Sequence, residues 1–266
     1  MTRFGLTGHL GWIAALATAN LRSAVADRGN FIALAGFMAL NNLIWFSIWW
    51  LFFAVAGEIR GWTVSDVAAL YGIVAVAFGI HTTFFGGART LAQKVRDGAL
   101  DVYLGRPRSA LVGVLFSRSD PTGLGDILSG AALVLWVTAA TPEKGAMALG
   151  FAGLSTSVIV ASYLAINCLA FISRGRSSVS DQLCESFLML ASMPQVGLPG
   201  VVKILTYTAL PAAFVGFVPV EILRDFSAAK LLEVVAAAIL CPLAAAGLFH
   251  LGLRHYSSGN RMIELR

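Results

Sequence analysis

Apolar residues gather into six long runs along this chain of 266 residues, at about 31–57, 67–88, 122–141, 145–172, 183–202 and 231–252. A helix needs about 20 such residues to cross the hydrocarbon core of a bilayer. Residues 29–57 contain no Asp, Glu, Lys or Arg, and little beyond Asn41, Asn42 and Ser47 is polar there. A helix in a soluble core keeps a polar stripe toward water, and this run offers none. The pattern predicts an all-α integral membrane protein, with six transmembrane helices in a single domain over 1–266.

The remaining segments predict further elements. Leu6, Leu10, Ile13, Ala17 and Leu21 recur at helical spacing, with Thr7, Gly11, Thr18 and Arg22 on the other face. That periodicity predicts an N-terminal interfacial amphipathic helix over about 4–25. The competing reading is a cleaved signal ending at Ala17-Thr18-Ala19. Connections at 58–66 and 142–144 are short, so the helices they join are antiparallel neighbours. The connection from Arg89 to about Pro121 is long, with a charged helical segment closed by Gly98 and a second break at Gly105-Arg106-Pro107. A smaller loop on the same side runs 173–178, with Asp181 placed to start the next helix. Pro194, Pro199, Pro211 and Pro219 punctuate an apolar stretch too long for one span. Broken backbone at membrane depth needs protein or a wet cavity around it, so a short re-entrant hairpin is expected near 203–222, with Lys203 at its outer end.

Charge orients this map. Of 19 Lys and Arg residues, 14 fall on one side: Arg3, Arg22, Arg28, Arg89, Lys94, Arg96, Arg106, Arg108, Arg118, Arg174, Arg176, Arg254, Arg261 and Arg266. The other side keeps Arg60, Lys144, Lys203, Arg224 and Lys230. Cations in short loops are retained in the cytoplasm, so both termini are expected there. The net charge of +5 then reports topology and affinity for anionic lipid; without a basic stripe interleaved with aromatics, no nucleic-acid partner is expected. Cys168, Cys184 and Cys241 lie far apart in apolar sequence with no CxxC spacing, which suits small core residues.

The chain has no Gly-Lys dipeptide and so no phosphate-binding loop for nucleotide, and it lacks HExxH and GxSxG. No catalytic, metal or cofactor-binding residue is expected. Spans one to four are read as free of acidic residues in their central portions, which weakens an ion-coupled carrier. His81 is either a polar contact facing a substrate path or a neutral imidazole bonded to a neighbouring helix. Phe46, Trp49, Trp50, Phe52 and Phe53 in span one, and Phe78, Phe84 and Phe85 in span two, are either a lining for a greasy substrate or an interfacial belt. Candidate pathway residues are Asn42, Phe46, Trp49, Phe78, His81 and Phe85.

Val95-Arg96-Asp97-Gly98-Ala99-Leu100-Asp101-Val102-Tyr103-Leu104-Gly105-Arg106-Pro107 resembles the cytoplasmic signature of type-2 ABC transporter permeases, in their six-span branch formerly catalogued as a domain of unknown function. Pro211-Ala212-Ala213-Phe214 with Pro219 resembles that branch's outer loop. Gly252-Leu253-Arg254-His255-Tyr256-Ser257-Ser258-Gly259-Asn260 resembles its C-terminal ending, with Ser257 where a Glu often stands. The resemblance implies a non-catalytic permease subunit of an exporter in a bacterial cytoplasmic (inner) membrane. Its implied partners are membrane lipid, a second permease, identical or paralogous, and two copies of an ATPase subunit that holds the ATP and Mg. It also implies a cytoplasmic coupling helix between spans two and three. The expected ATPase contacts are Lys94, Arg96, Asp97, Gly98, Asp101, Arg106 and Pro107, with Arg174 and Arg176 as a second patch. Asp97 and Asp101 would pair with basic groups on the partner. The alternatives are a lipid-modifying membrane enzyme and an ion-coupled carrier or channel.

Overall fold

The structure, a computed structural model, describes residues 26–107, 109–172, 177–195 and 198–256, together with 11, 12, 14, 15, 18, 19 and 22. The interfacial helix expected over 4–25 lies largely outside these residues. Among the described residues the chain is helical, and its one strand-like feature is an isolated bridge between Ile59 and Trp62.

Helix α1 spans Arg28–Ala56, starting where Asp27 Oδ1 accepts a hydrogen bond from the Asn30 N–H (3.1 Å). It stops at Gly57, whose positive φ of 68° reverses the chain. Helix α2 (Val64–Phe85) opens on a capping box between Thr63 and Asp66. The connection to the next span folds as α3 (Leu91–Arg96), α4 (Asp101–Leu104) and α5 (Ala110–Leu115). Helix α6 is Thr122–Val137 and α7 is Pro142–Cys168, which Leu169–Phe171 extends as a 3-10 turn. Helix α8 covers Ser177–Ala191, α9 Gly200–Tyr207, α10 Phe217–Arg224 and α11 Ala228–Leu253.

Among the described residues four helices are long and apolar enough to cross a membrane: α1, α2, α7 with its 3-10 extension, and α11. The other two expected spans are shorter. Helix α6 has 16 residues and α8 has 15, about 24 Å at 1.5 Å per residue. Helix α6 ends at Val137 rather than 141 because Thr138 folds back, its N–H and hydroxyl both donating to the Val134 carbonyl. Helix α8 begins at Ser177 rather than 183 and ends at Ala191 rather than 202. Pro194 and Pro199 lack the N–H that a continuing helix requires, so the chain turns and restarts as α9.

Helix α2 is the axis of the core and packs between α6 and α7. Its contact with α6 is made by glycines seven apart on each helix. A Cβ on Gly79 would meet the Gly123 carbonyl at 2.5 Å, and one on Gly72 would meet the Gly130 carbonyl at 2.9 Å. Close backbone approach of this kind replaces the hydrophobic drive that is missing between helices in lipid.

At the end away from the long loop, the broken segment returns into the protein. The 3-10 turn Ala212–Phe214 and α10 bury Ala212, Ala213, Phe217, Val218, Val220 and Ile222. Ser155 Oγ donates to the Val215 carbonyl (2.7 Å), and Thr206 Oγ1 donates to Gln195 Oε1 (2.9 Å). These bonds satisfy interrupted backbone and side-chain groups inside the protein. Trp62 stacks on Phe217 at 5.2 Å and 5°. Arg224 lies over the Trp62 ring, donates to the Gly61 carbonyl (2.5 Å) and pairs with Asp66 (3.4 Å).

Candidate functional site: the basic end

The long connection after α2 is built into the end of the bundle. The Gly87 N–H donates to the Leu115 carbonyl (3.2 Å), tying the start of the loop to the end of α5, and the Asp120 N–H donates to the Thr82 carbonyl (3.2 Å), tying its far end to α2. Helix α3 buries Leu91 and Ala92, and Leu100 anchors the segment behind it. The expected single helix is two short helices. Gly98 takes a φ of 71°, a left-handed value open to glycine, so the chain turns sharply between α3 and α4.

Most of the expected ATPase contacts stand at exposed or half-buried positions of this elbow, Arg96 at the border with the cavity behind α3. Arg96 and Asp97 pair at 3.0 Å with both side chains about half exposed. Arg106 lies over the Tyr103 ring at 5.5 Å, and Pro107 ends the segment. Asp101 opens α4 and lies near Tyr256, whose phenol is pushed up to about 12 by burial and by that carboxylate. Lys94 turns inward instead, donating to Thr90 Oγ1. Burial, with the Arg118 charge beside it, pushes its ammonium down to about 8. Arg174 and Arg176 lie outside the described residues. Reading charge alone missed Val102 and Leu104, which stand 58% and 42% exposed on the elbow between the acidic and basic groups. Their signal was apolar residues inside a charged loop, outside any span.

Behind α3 lies a cavity of about 410 Å³, enclosed by the end of α2, α3, the segment at Arg118–Asp120 and the start of α8. Arg89, Arg96 and Arg118 line it along with Asp120 and Asp181. His81 also lines it, almost wholly buried, and its Nδ1 has no hydrogen-bond partner among the described residues. Arg89 reaches across to Glu185 on α8 (2.7 Å).

The candidate pathway residues do not converge on one channel within this chain. Asn42 Nδ2 donates to Asp126 Oδ1 (2.7 Å) and to Ser129 Oγ (2.9 Å), joining α1 to α6. Phe46 is buried edge-on against Trp136. The Trp49 indole donates to the Tyr71 hydroxyl (2.8 Å), joining α1 to α2. Phe78 and His81 pack on Tyr163 of α7, and Phe85 packs on Phe116 at 4.9 Å. Asp126 escaped the sequence reading: it sits in the second turn of α6, buried, with Oδ2 unpaired. A single acidic residue near the start of an apolar run reads as an edge residue until a neighbouring helix covers it.

Comparison with curated proteins finds no match, and comparison with solved structures finds none. A family model described as "ABC-2 family transporter protein" matches residues 39–259, from within α1 to beyond α11. This match covers most of the chain, takes in the elbow and all four membrane-length helices, and makes the chain a multi-pass membrane protein of the ABC-2 transporter family.

Proposed function

We propose that the chain is the permease subunit of an ATP-driven ABC-2 exporter in a bacterial cytoplasmic membrane. It forms half of a translocation pathway and takes its drive from a separate ATPase subunit. Six spans leave both termini and the α3–α4 elbow in the cytoplasm. Helix α6 and α8 complete the set, their shortness offset by local thinning of the bilayer. Two copies of the ATPase bind a pair of permeases, and a substrate passes between spans one, two and five of the two permeases.

The observation that carries this reading is the elbow itself. It is locked to α2 at its base, turns sharply at Gly98, and presents Val102 and Leu104 between Arg96, Asp97 and Arg106. An apolar centre ringed by charge is what a protein groove can hold with both affinity and register. Rigid attachment at Gly87–Leu115 and Asp120–Thr82 lets a push on the elbow move α2 directly.

Copurification with the ATPase subunit tests it. Replacing Asp97 and Asp101 with Asn is expected to weaken association about 10-fold or more, with the permease still folded. Unchanged association would remove the elbow from the interface. Transport in ATP-free vesicles driven by a gradient alone would replace the exporter by a carrier.

A further inference from the structure

The elbow's outer face suits a protein, but the cavity behind it is shaped for something smaller. At about 410 Å³ it falls within the range of small-ligand sites, and it is concave on the basic end of the bundle. The geometry points to a binding site for a phosphate-bearing anion in this cavity, supplied either as a phospholipid headgroup from the adjoining leaflet or as free phosphate.

Charge and satisfaction both support this assignment. Three guanidinium groups, those of Arg89, Arg96 and Arg118, line one small space. Guanidinium forks match phosphate oxygens better than any other side chain does. The present pairings of Arg89 and Arg118 are weak enough to exchange. Arg118 reaches Asp120 only at 3.9 Å, and that carboxylate already accepts bonds from the Thr122 N–H (3.1 Å) and hydroxyl (2.7 Å). The Arg89–Glu185 pair is about half exposed on both sides, where solvent screens an ion pair and leaves it little net strength.

Lys94, on α3 beside the lining residues Thr90 and Gln93, has no carboxylate in ion-pair reach among the described residues; burial and, secondarily, the charge of Arg118 depress its ammonium, and an anion in the cavity would offset the second of these. His81 adds a buried ring nitrogen with no partner among the described residues. An N–H there would complete a phosphate cradle begun by the arginines. The opposing charges are Asp120, committed to Thr122, and Asp181, exposed at the rim. Basic pockets at the ends of membrane helices are a known form of headgroup recognition.

The test is thermal unfolding of the purified full-length chain in neutral detergent. It is titrated separately with inorganic phosphate, dihexanoyl phosphatidic acid and zwitterionic dihexanoyl phosphatidylcholine. At saturation, phosphatidic acid is expected to raise the midpoint by roughly 5 °C. An equal response to inorganic phosphate identifies free phosphate as sufficient; a response to phosphatidic acid alone identifies a lipid headgroup. Arg118→Gln is expected to weaken binding about 10-fold or more. Glu185→Gln, which breaks the same ion pair as Arg89→Gln but frees the arginine, is expected to tighten it several-fold. That opposite sign separates ligand binding from damage to the fold. The assignment is overturned by no response to either anion, by an equal response to phosphatidylcholine, or by titrations unchanged in Arg118→Gln and Glu185→Gln. It is also overturned if only the ATPase subunit stabilises the chain, which would give the cavity to a protein side chain.

Discussion

Helices α1 and α2 have the same mean hydropathy, 1.8 over their most apolar windows, yet 6% of that window is buried in α1 and 67% in α2. Greasiness therefore decides that both enter a bilayer but not which of them becomes the core. Surface shape decides that. Helix α2 presents Gly72 and Gly79 where α6 presents Gly130 and Gly123, and the backbones meet. Helix α1 presents Ile32, Phe37, Leu40, Leu43 and Ile44 outward, and the space around Gly36 is open. On that outward face bulky side chains leave no ridge for a neighbour to approach closely; α1 admits one only on its other side, where Gly125 of α6 comes against the Ala35 backbone.

The largest expected effect would break this contrast if it failed. Gly79→Leu forces a side chain into the α6 backbone and is expected to destabilise the chain by about 3 kcal/mol or more in detergent unfolding. Gly36→Leu, in open space on α1, should stay within about 0.5 kcal/mol. Equal losses at the two sites would mean that the glycine pairs do not set the core.

A smaller effect sharpens how α1 is held at all. Its polar tie to α6 is Asn42 on Asp126 and Ser129. Asn42→Ala is expected to cost on the order of 1 kcal/mol by leaving a buried carboxyl without its donor. Adding Asp126→Ala in the same chain should cost less than the sum of the two, because the orphaned group is then gone.

The smallest effect lies on α3. Lys94 titrates near 8 in the folded chain and at its ordinary value of 10.5 when unfolded. Between these values the unfolded chain binds more protons, so folding stability rises with pH through that window. Lys94→Met should flatten the rise and add up to about 1 kcal/mol at neutral pH, after discounting for solvent. A slope unchanged in the variant would show that burial and the Arg118 charge do not depress this ammonium.

The sites of the helices were legible because charge-free runs have no other reading, and the breaks at Gly98, Pro194 and Pro199 were legible because those residues restrict the backbone by themselves. The six pathway candidates were legible as residue types but not as contacts. Asn42 and Trp49 make interhelical hydrogen bonds that depend on register. The Gly72/Gly130 and Gly79/Gly123 match is invisible along one strand of sequence, since a seven-residue interval acquires meaning only when two antiparallel helices are laid side by side. The cavity behind α3 was hidden for the same reason: Arg89 and Arg118 stand 29 positions apart in the chain and come together only where Gly87 meets Leu115.

The guanidinium of Arg224 lies over the ring of Trp62 and bonds the carbonyl of Gly61, 163 positions earlier. A ribosome completes that contact only after α10 has been synthesised, whereas the glycine contacts between α2 and α6 lie wholly within residues made earlier. Sealing of the far rim is therefore a late event in biogenesis, and any nascent chain released before residue 224 leaves that rim unlatched.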